Sequence, residues 1–423
     1  MSESSPARGE APRAGLLRVD PSRPPRRAAL WIPVILAGLS MLGPFSIDTP
    51  FPAFPEMGRD LPATTEQLQL VVSAYLVAFG LMSPFHGPLS DALGRRPVMI
   101  GGVAVFALAS VGAALSPNLE TLLVFRVLQG LSAGGGVIVS RTVIRDEFEG
   151  AEAQRLMSRV MMIFGVAPAV APVLGGLLIQ LGPWQVVFWF MAFFGVLLAL
   201  VVLFWLGETH PPELRIPLRV GALLGSLLTV TRSLAFHRVA WAAALSFAGQ
   251  FLYIGMAPIV VNDLLGLGEL DFWILFVPMI VGILVGAQIS GRAAGRIDGR
   301  HLVTGALLFS VFGGVVNVVL VSLPIADLPW AVVGPALIAV GTASAYPTLQ
   351  LLLLDMFPAT RGAAVSMFTF FTLILNGVAA SALAPIVTES LTVMAAASTA
   401  LVVAGLVSWT THLLATSRGP VSP

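Results

Sequence analysis

The sequence predicts an all-α membrane protein with twelve transmembrane helices in two bundles of six. Three observations predict this fold class. The chain of 423 residues is 57% hydrophobic and only 11% charged, whereas a soluble protein carries about 25% charged residues. Twelve segments are long and apolar enough to span a bilayer, which takes roughly 20 residues each. Finally, arginines are concentrated in alternate connections between these segments.

The twelve predicted spans are joined by short connections except at the centre of the chain. Their approximate bounds are 31–54, 68–90, 96–116, 118–144, 156–180, 184–206, 238–262, 271–291, 301–323, 329–354, 362–385 and 391–415. The longest connection, "GETHPPELRIPLRVGALLGSLLTVTRS", leaves six spans on each side. The predicted units are a disordered cytoplasmic tail (1–30), a first bundle (31–206), a cytoplasmic loop (207–237), a second bundle (238–415) and a cytoplasmic tail (416–423).

The arginine distribution predicts the orientation of the chain. All 23 basic residues are arginines, and the connections opposite to the arginine-rich ones contain a single arginine, Arg59. Because arginine and lysine are retained on the cytoplasmic side, both termini are expected in the cytoplasm, with the spans in the cell inner membrane. The polar N-terminal segment has no apolar stretch followed by a cleavage site, so it is not expected to be a signal peptide.

The two halves are related by a weak internal repeat. "GPLSDALGRR" follows the second span of the first half, and "GRAAGRIDGR" occupies the same position in the second half. Internal duplication in a bundle of this size is typical of secondary transporters, which bind substrate and coupling ions between the repeats near mid-membrane.

Two charged residues lie within predicted spans and away from their ends, Asp48 and Arg126. A charge near the bilayer centre costs at least about 2.5 to 3.5 kcal/mol, so an ionisable residue there is a functional candidate. At about 1.5 Å per residue both lie roughly 10 Å below the outer boundary and can share one depth. Arg126, Gln129 and Gly130 share a helical face. The alternative for Arg126 is a static internal ion pair that only locks the bundle.

The segment "GPFSIDTPFPAFP" surrounds Asp48 with four prolines. Pro50 and Pro52 lack the N–H groups that would bond the carbonyls of Ser46 and Asp48. Irregular backbone at membrane depth is tolerated where it lines a cavity, so Asp48 is expected to face one. Desolvation there favours the protonated acid and a nearby arginine favours the carboxylate, which is the basis of a proton-coupled switch. A simple kink with a hydrogen-bonded acid is the alternative.

The inner end of the second span, "GPLSDALGRRP", places Asp91 at a helix C-terminus, where the helix dipole disfavours an acid. Arg95, Arg141 or the N-terminus of span 11 are expected to compensate it, and contacts across the two halves would hold the inner side shut. A loop turn whose arginines only set topology is the alternative. The candidate gate residues are Gly87, Asp91, Gly94, Arg95, Arg96 and Arg141.

Two further sets of residues are candidates. In "GVAPAVAPVLGG" of the fifth span, Pro168 and Pro172 precede Gly175 and Gly176, a spacing that predicts a bent, closely packed helix. Aromatic, amide and thioether side chains are candidates for a greasy substrate pocket, with ordinary helix contacts as the alternative. The pocket candidates are Tyr75, Gln129, Gln250, Tyr253, Met256, Phe371 and Asn376.

Several classes of chemistry are not expected. The chain has no cysteine, which excludes disulfides, thiolate metal sites and cysteine nucleophiles, and it has no phosphate-binding P-loop, so ATP is not expected to supply energy. No metal or other cofactor is expected, because the five histidines lack metal-ligand spacing and are predicted at or near the surface. Asp48 has no nucleophile or metal ligand beside it in the sequence, so the protein is not expected to be an enzyme.

These motifs resemble the major facilitator superfamily, and within it the drug:proton antiporters of the bicyclomycin and chloramphenicol resistance group. "GPLSDALGRRP" resembles the superfamily's loop signature between helices 2 and 3, with Ala92 where a basic residue is usual. "RVLQG" resembles the helix 4 motif whose arginine is tied to proton coupling, here Arg126. "APVLGG" is similar to the antiporter motif of helix 5, with Ala171 where glycine is common. "SIDTPFPAFP" resembles the helix 1 signature whose acid, here Asp48, is implicated in proton and substrate binding.

The resemblance implies the major facilitator fold, with two pseudo-symmetric six-helix bundles that operate by alternating access. It also implies export of small, often amphipathic drugs driven by inward proton flow. The expected partners are a small-molecule substrate, protons and the lipid bilayer, with no nucleic acid and a monomeric chain. Export of one endogenous metabolite, such as a sugar or amino-acid derivative, is the alternative transport function. A non-transporting membrane sensor is the alternative from a different class.

Overall fold

The computed structural model describes residues 28–148, 150–215, 217–294, 296–323, 328–358, 360–387 and 389–417. The described chain is helical, and twelve of its helices have at least 20 residues. We number them α1 (Ala28–Asp48), α2 (Thr65–Leu93), α3 (Arg95–Ala114), α4 (Leu119–Glu147), α5 (Gly150–Leu178), α6 (Gln185–Trp205), α7 (Leu234–Gly255), α8 (Phe272–Ala293), α9 (Gly299–Ser322), α10 (Trp330–Met356), α11 (Arg361–Ala382) and α12 (Leu391–Ser417). Residues 1–27 and 418–423 of the predicted tails lie outside the described residues.

The lengths and composition of these helices fit a protein that crosses a membrane many times. In the described ranges, ten helices are long and apolar enough to span a bilayer, and an eleventh span is obtained if the bent pair Val220–Thr231 and Leu234–Gly255 is counted together. Within α5, the segment Val166–Leu178 is also apolar. Large apolar side chains such as Leu108 and Phe193 are exposed on the outer faces, where only lipid can cover them. The predicted fold class is confirmed.

Two segments differ from the predicted spans. The first span was expected to continue to residue 54, but α1 ends at Asp48 and is followed by a 3-10 turn, Phe51–Ala53, and a short helix, Phe54–Asp60. The prolines after Asp48 explain the break, because they cannot donate to the preceding turn. The predicted central loop contains a helix, Val220–Thr231, which is bent by 81° from α7. This helix is apolar but too short to span a bilayer.

Side-chain caps define where several helices begin. Thr64 and Gln67 form a reciprocal capping box at the start of α2, in which the Gln67 amide N–H donates to Thr64 Oγ1 at 3.2 Å and the Thr64 N–H donates to Gln67 Oε1 at 2.9 Å. Asn118 caps α4 by accepting from the Thr121 N–H at 2.8 Å. These caps satisfy N–H groups that have no partner within the helix.

The two bundles meet along equivalent helices of each half, α2 with α11 and α5 with α8. Small residues bring α2 and α11 close together, since a β-carbon on Gly377 would lie 2.9 Å from Val77 Cγ2. Near the end of the bundles that the predicted orientation places outside, here called the outer end, the rings of Phe51 and Phe272 stack with centroids 6.5 Å apart. The outer ends of the bundles are therefore in direct apolar contact.

A small cleft remains between the bundles at the outer face. It has a volume of about 320 Å³ and is lined on one side by Gly58, Arg59 and Thr65 and on the other by Asn262 and Asp263. Burial raises the pKa of the Asp263 carboxyl above its usual value, and the negative charge of Glu66 on the opposite bundle raises it further. Asp263 and Glu66 thus place carboxyl groups of the two bundles near each other at this cleft.

Glycines also set the distance between α9 and α10. A β-carbon on Gly341 would overlap Ser310 Oγ and lie 2.5 Å from the carbonyl oxygen of Ala306. Such contacts allow helices to pack in lipid, where no hydrophobic effect drives them together.

We expect Gly341→Val to destabilise the protein by about 1 to 3 kcal/mol, because the added side chain overpacks this interface. Gly305→Val is the matched control, since Gly305 lies on α9 with nothing within 4 Å of its β-carbon position. Thermal unfolding of both variants in detergent measures the difference. Equal melting temperatures for the two variants would contradict this account of the α9–α10 contact.

Candidate functional site

Asp48 is the last residue of α1 and is buried, with 1% of its surface exposed. The helix ends there because the following prolines interrupt the hydrogen bonds, and the last backbone bond of this turn runs from the Thr49 N–H to the Phe45 carbonyl at 3.2 Å. Asp48 Oδ1 has no hydrogen-bond partner among the described residues. An acid thus lies at membrane depth with one oxygen unsatisfied.

Arg126 lies on α4 and is fully buried, but its guanidinium is held from several directions. Nε donates to the carbonyl of Val71 at 2.7 Å, and Nη1 donates to Gln129 Oε1 at 2.8 Å. The Cζ atom lies 4.7 Å from the centre of the Tyr75 ring, a cation–π contact. Nη2 has no hydrogen-bond partner in the described part of the chain.

Gln129 is itself fixed by a second set of bonds. Its Nε2 donates to Ser110 Oγ of α3 at 2.7 Å, and Ser110 Oγ donates to the Phe106 carbonyl at 2.8 Å. This chain of bonds orients the Gln129 amide so that its oxygen faces Arg126. The sequence analysis placed Gln129 among the pocket candidates, whereas the structure makes it a support for Arg126.

Asp48 and Arg126 are both buried in the first bundle, but the ion pairs of the described residues do not include one between them. Tyr75 of α2 lies near both Asp48 and Arg126. Its ring carries the guanidinium of Arg126, and its hydroxyl lies next to Ser46 and within electrostatic reach of Asp48. Tyr75 therefore contacts the arginine and lies near the acid, while the described residues show no direct salt bridge between the two.

Glycines allow the helices to converge on this site. A β-carbon on Gly130 of α4 would overlap the carbonyl oxygen of Tyr75. On α5, a β-carbon on Gly175 would overlap the carbonyl oxygen of Thr49, immediately after Asp48, and one on Gly176 would lie 2.7 Å from the carbonyl oxygen of Glu269. The Gly175–Gly176 pair thus touches the break in α1 on one side and the second bundle on the other.

The prolines of α5 also take the predicted positions, since Pro168 and Pro172 both lie inside the helix. The glycine contacts of α5 are consistent with close packing, and the role of the whole motif stays a prediction.

At the inner end of α2, Asp91 pairs with Arg95, whose Nη1 lies 2.5 Å from Asp91 Oδ1. Arg95 Nε donates to Asp146 Oδ2 of α4 at 2.9 Å, and its Nη1 also donates to Ser90 Oγ at 2.6 Å. Of the three predicted partners for Asp91, the structure shows Arg95. The hydrogen bonds and ion pairs of the described residues do not join Asp91 to the second bundle, and the side chain of Arg361 at the start of α11 lies outside the described residues.

The other gate candidates have different surroundings. Gly94 has a φ of +103°, a conformation that favours glycine, whereas a β-carbon on Gly87 would meet nothing within 4 Å. Arg96 Nη2 donates to the Leu203 carbonyl of α6 at 2.6 Å. Arg141 lies within electrostatic reach of Tyr346 on α10 of the second bundle. Among these candidates, Arg141 is the residue that faces the second bundle.

The pocket candidates lie in several parts of the two bundles, and their role in binding substrate stays a prediction. Tyr75 and Gln129 belong to the Arg126 network, while the Tyr253 hydroxyl accepts a bond from Asn317 Nδ2 at 2.6 Å inside the second bundle. Gln250 of α7, Met256 directly after α7 and Asn376 of α11 are also buried. Phe371 packs against Trp241 with ring centroids 5.3 Å apart.

The second bundle contains an aromatic cluster that the sequence pattern did not single out as a unit. Tyr346 packs against Phe247 and Phe368, with ring centroids at 5.3 and 5.1 Å, and Phe247 packs against Phe251 at 6.2 Å. These rings come from α7, α10 and α11. Their convergence depends on helix packing, so the sequence offers no local signal for it.

The prediction for the histidines is wrong at two positions. His86 and His412 are buried, with 3% and 7% of their surfaces exposed. His86 lies inside α2 against Gly134 of α4, where a β-carbon would lie 2.5 Å from the imidazole ring. The absence of a side chain on Gly134 makes room for a ring that the span prediction placed near a surface.

Sequence reasoning also missed Asp146 and Glu208. Asp146 accepts from Arg95, and Glu208 Oε1 accepts from the Arg95 backbone N–H at 3.0 Å. A signal for Asp146 existed, because it is an acid at the C-terminal end of a helix and so needs compensation for the same reason as Asp91.

Comparison with known proteins agrees with this architecture. Residues 36–381 match the family described as the Major Facilitator Superfamily. The chain is 34% identical to the uncharacterized MFS-type transporter YdgK of Bacillus subtilis over 70% of this chain and 69% of that one. It is 29% identical to the bicyclomycin resistance protein homolog of Haemophilus influenzae over 70% of this chain and 74% of that one.

A solved structure shows the same fold at low sequence identity. The D-xylose-proton symporter superposes with a TM-score of 0.71 at 15% identity, covering 90% of this chain and 97% of the symporter. The resemblance to the bicyclomycin resistance group is confirmed by the relatives, and the structural likeness confirms the fold. The chain therefore belongs to the Major Facilitator Superfamily and is a multi-pass membrane transporter of small molecules.

Proposed function

We propose that this transporter exports small, amphipathic drugs across the cell inner membrane in exchange for protons. The observation that carries the proposal is Asp48, a buried acid at the break in α1 with one carboxylate oxygen unpartnered among the described residues. The similarity to a bicyclomycin resistance protein homolog supports export of drugs.

Asp48 is suited to carry the proton because of its surroundings. A buried carboxylate is costly unless it is paired or hydrogen-bonded, and binding a proton removes that cost. No other charged side chain is bonded to Asp48 in the described part of the chain. Its negative charge must therefore be neutralised by a proton, paired with a substrate, or given a new partner by a change of conformation. That dependence links protonation of Asp48 to the transport cycle.

Arg126 provides a fixed positive charge on the far side of Tyr75. Its bonds to Val71 and Gln129 hold it in place, so its position stays the same while the acid gains or loses a proton. In the proposed cycle, a proton from outside neutralises Asp48 and weakens its hold on substrate. Substrate leaves, the protonated carrier turns inward, and proton loss with substrate binding resets it.

The α5 glycines offer a route from Asp48 to the interface between the bundles. Gly175 is in close contact with Thr49, and Gly176 with Glu269 of the loop before α8. A shift of the backbone after Asp48 therefore reaches the outer contact between α5 and the second bundle directly. This arrangement supports coupling of protonation to closure of the outer side.

The aromatic cluster of the second bundle supports an amphipathic substrate. Tyr346 and Phe247 are partly exposed and pack with the buried Phe368, and Arg141 of the first bundle approaches Tyr346. Flat rings bind apolar and aromatic groups with little orientation dependence, which suits a transporter of several drugs. We propose these residues as part of the substrate surface, together with the earlier pocket candidates.

The remaining features of the proposal concern orientation, which the arginine distribution supports, and assembly and moving units, which the family resemblance implies. The chain is proposed to function as a monomer with both termini in the cytoplasm, and the segments 31–206 and 238–415 are proposed to act as the two moving units.

Cells that express the protein are expected to accumulate less of several dyes and antibiotics than cells without it. The reason is that the proposed export is driven by protons and accepts compounds of different chemical structure. An uncoupler should abolish the difference. The measurement is cellular accumulation of each compound with and without the uncoupler. A single exported compound from a broad panel would favour the endogenous-metabolite alternative, and export that persists with the uncoupler would contradict proton coupling.

Asp48→Asn is expected to abolish proton-driven export, because the amide keeps the shape of the acid but cannot exchange a proton. The measurement is initial flux of an exported compound in proteoliposomes under an imposed pH gradient. Glu120→Gln is the matched control, since Glu120 is an exposed acid at the outer end of α4, and it should transport normally. Wild-type flux from Asp48→Asn would refute the assignment.

Arg126→Lys should lower the export rate roughly tenfold or more, because lysine keeps the charge but loses a charge-assisted hydrogen bond worth about 1.5 to 3 kcal/mol. Arg59→Lys, at an exposed arginine of the outer face, is the control and should leave the rate unchanged. The same flux assay applies. If the two lysine variants transport equally well, the fixed geometry of Arg126 has no part in coupling.

A further inference from the structure

The segment that connects the two bundles is docked onto the first bundle by Glu208. Glu208 Oε1 accepts hydrogen bonds from the backbone N–H groups of Arg95 at 3.0 Å and His210 at 2.9 Å. Arg95 is the first residue of α3. The N-cap residue of this helix is Gly94, which has no side chain that could accept from the free N–H groups of the first turn. Glu208 supplies the missing cap from the distant segment that follows α6.

The fit around Gly94 shows how closely this segment is seated. A β-carbon on Gly94 would lie 2.5 Å from Glu208 Oε2 and 2.8 Å from Arg215 Nη2. Arg215 Nη2 itself lies 3.8 Å from Glu208 Oε2. The chain from Glu208 to Arg215 is therefore fastened to the turn between α2 and α3.

The same segment contacts the charged residues of the inner gate. Thr209 Oγ1 donates to Asp146 Oδ2 at 3.2 Å, and that oxygen also accepts from Arg95 Nε at 2.9 Å. Arg95 in turn pairs with Asp91. Glu208 and Thr209 thus hold Arg95 by its backbone and Asp146 by its side chain.

The other end of the connection is fastened to the second bundle. In the helix Val220–Thr231, Leu227 and Val230 are buried in an apolar cluster with Phe236 of α7 and Met367 of α11. The Thr231 carbonyl accepts from His237 Nε2 at 2.6 Å. This helix therefore moves with the second bundle.

Only residues 216–219 separate the two fastened parts. From the Cα atom of Arg215 to that of Val220, a fully extended chain covers at most about 17 Å. If the Glu208 contacts were lost, the free connection would begin after Leu206 and would include the nine additional residues 207–215. The contacts of Glu208 therefore determine how many residues of the connection are free to extend between the two bundles.

We infer that Glu208 is a positioning residue of the inner gate, and that the connection it fastens is a strap that limits how far the inner ends of the bundles separate. The inference depends on the chain being a two-bundle transporter and not on proton coupling through Asp48. Failure of the Asp48 proposal would leave it intact.

The test measures inner opening directly. Because the chain contains no cysteine, Glu147→Cys at the inner end of α4 and Arg292→Cys at the inner end of α8 can carry a pair of spin labels on two exposed positions. The distance distribution between the labels is recorded for the full chain in nanodiscs. We expect Glu208→Ala to extend the long-distance population by roughly 5 to 10 Å, which lies within the slack of nine freed residues.

Two matched variants separate positioning from general damage. Glu213→Ala removes an exposed acid of the same connection and should keep the wild-type distribution. Glu208→Gln keeps an oxygen that can accept from the Arg95 and His210 N–H groups, so it should restore most of the wild-type distribution. Thermal unfolding identifies any variant that has simply lost its fold.

An insertion tests the strap itself. Five glycine and serine residues placed between Pro217 and Leu218 lengthen the connection without touching Glu208. The insertion should extend the distances as Glu208→Ala does, and the combined variant should add little, because both changes remove the same restraint. If Glu208→Ala or the insertion leaves the distribution unchanged, the inference is overturned. If Glu208→Ala extends the distances and the insertion does not, Glu208 acts only as a cap of α3 and the connection is not a strap.

Discussion

The cost of placing charge inside an apolar bundle is the constraint on which this structure depends. Two ionised groups at membrane depth must be satisfied by neighbours, since lipid offers none. Arg126 is held at Nε by Val71, at Nη1 by Gln129 and over the face of Tyr75, and only its Nη2 is without a hydrogen-bond partner among the described residues. Asp48 has no comparable set of bonds among the described residues, and its Oδ1 has no partner. This asymmetry makes the arginine a fixed element of the site and the acid its variable element.

Close helix packing allows such a site to exist at all. Helices in lipid are not driven together by the hydrophobic effect, so they need surfaces that permit intimate contact. Gly130 lets α4 reach the backbone of Tyr75, and Gly175 lets α5 reach the break after Asp48. The same small residues that hold the first bundle together therefore also determine the distances within its polar network.

The two ends of the interface are built from different interactions. The outer ends meet through apolar contacts such as the stacked rings of Phe51 and Phe272. At the inner end, the charges are satisfied within the first bundle and its following segment, as the bonds from Arg95 to Asp146 and Glu208 show. The inner end is therefore held by directed polar bonds and the outer end by apolar contact between the bundles.

The sequence by itself determined the helical membrane class and the irregular backbone around Asp48, and it offered Arg95 as one of three partners for Asp91, because composition, proline chemistry and i, i+4 spacing act over short distances. Only the tertiary structure decided that Tyr75 stands beside Arg126 and that Glu208 caps a helix 113 residues earlier. Such partners depend on how distant helices pack, and no local pattern specifies which faces will meet.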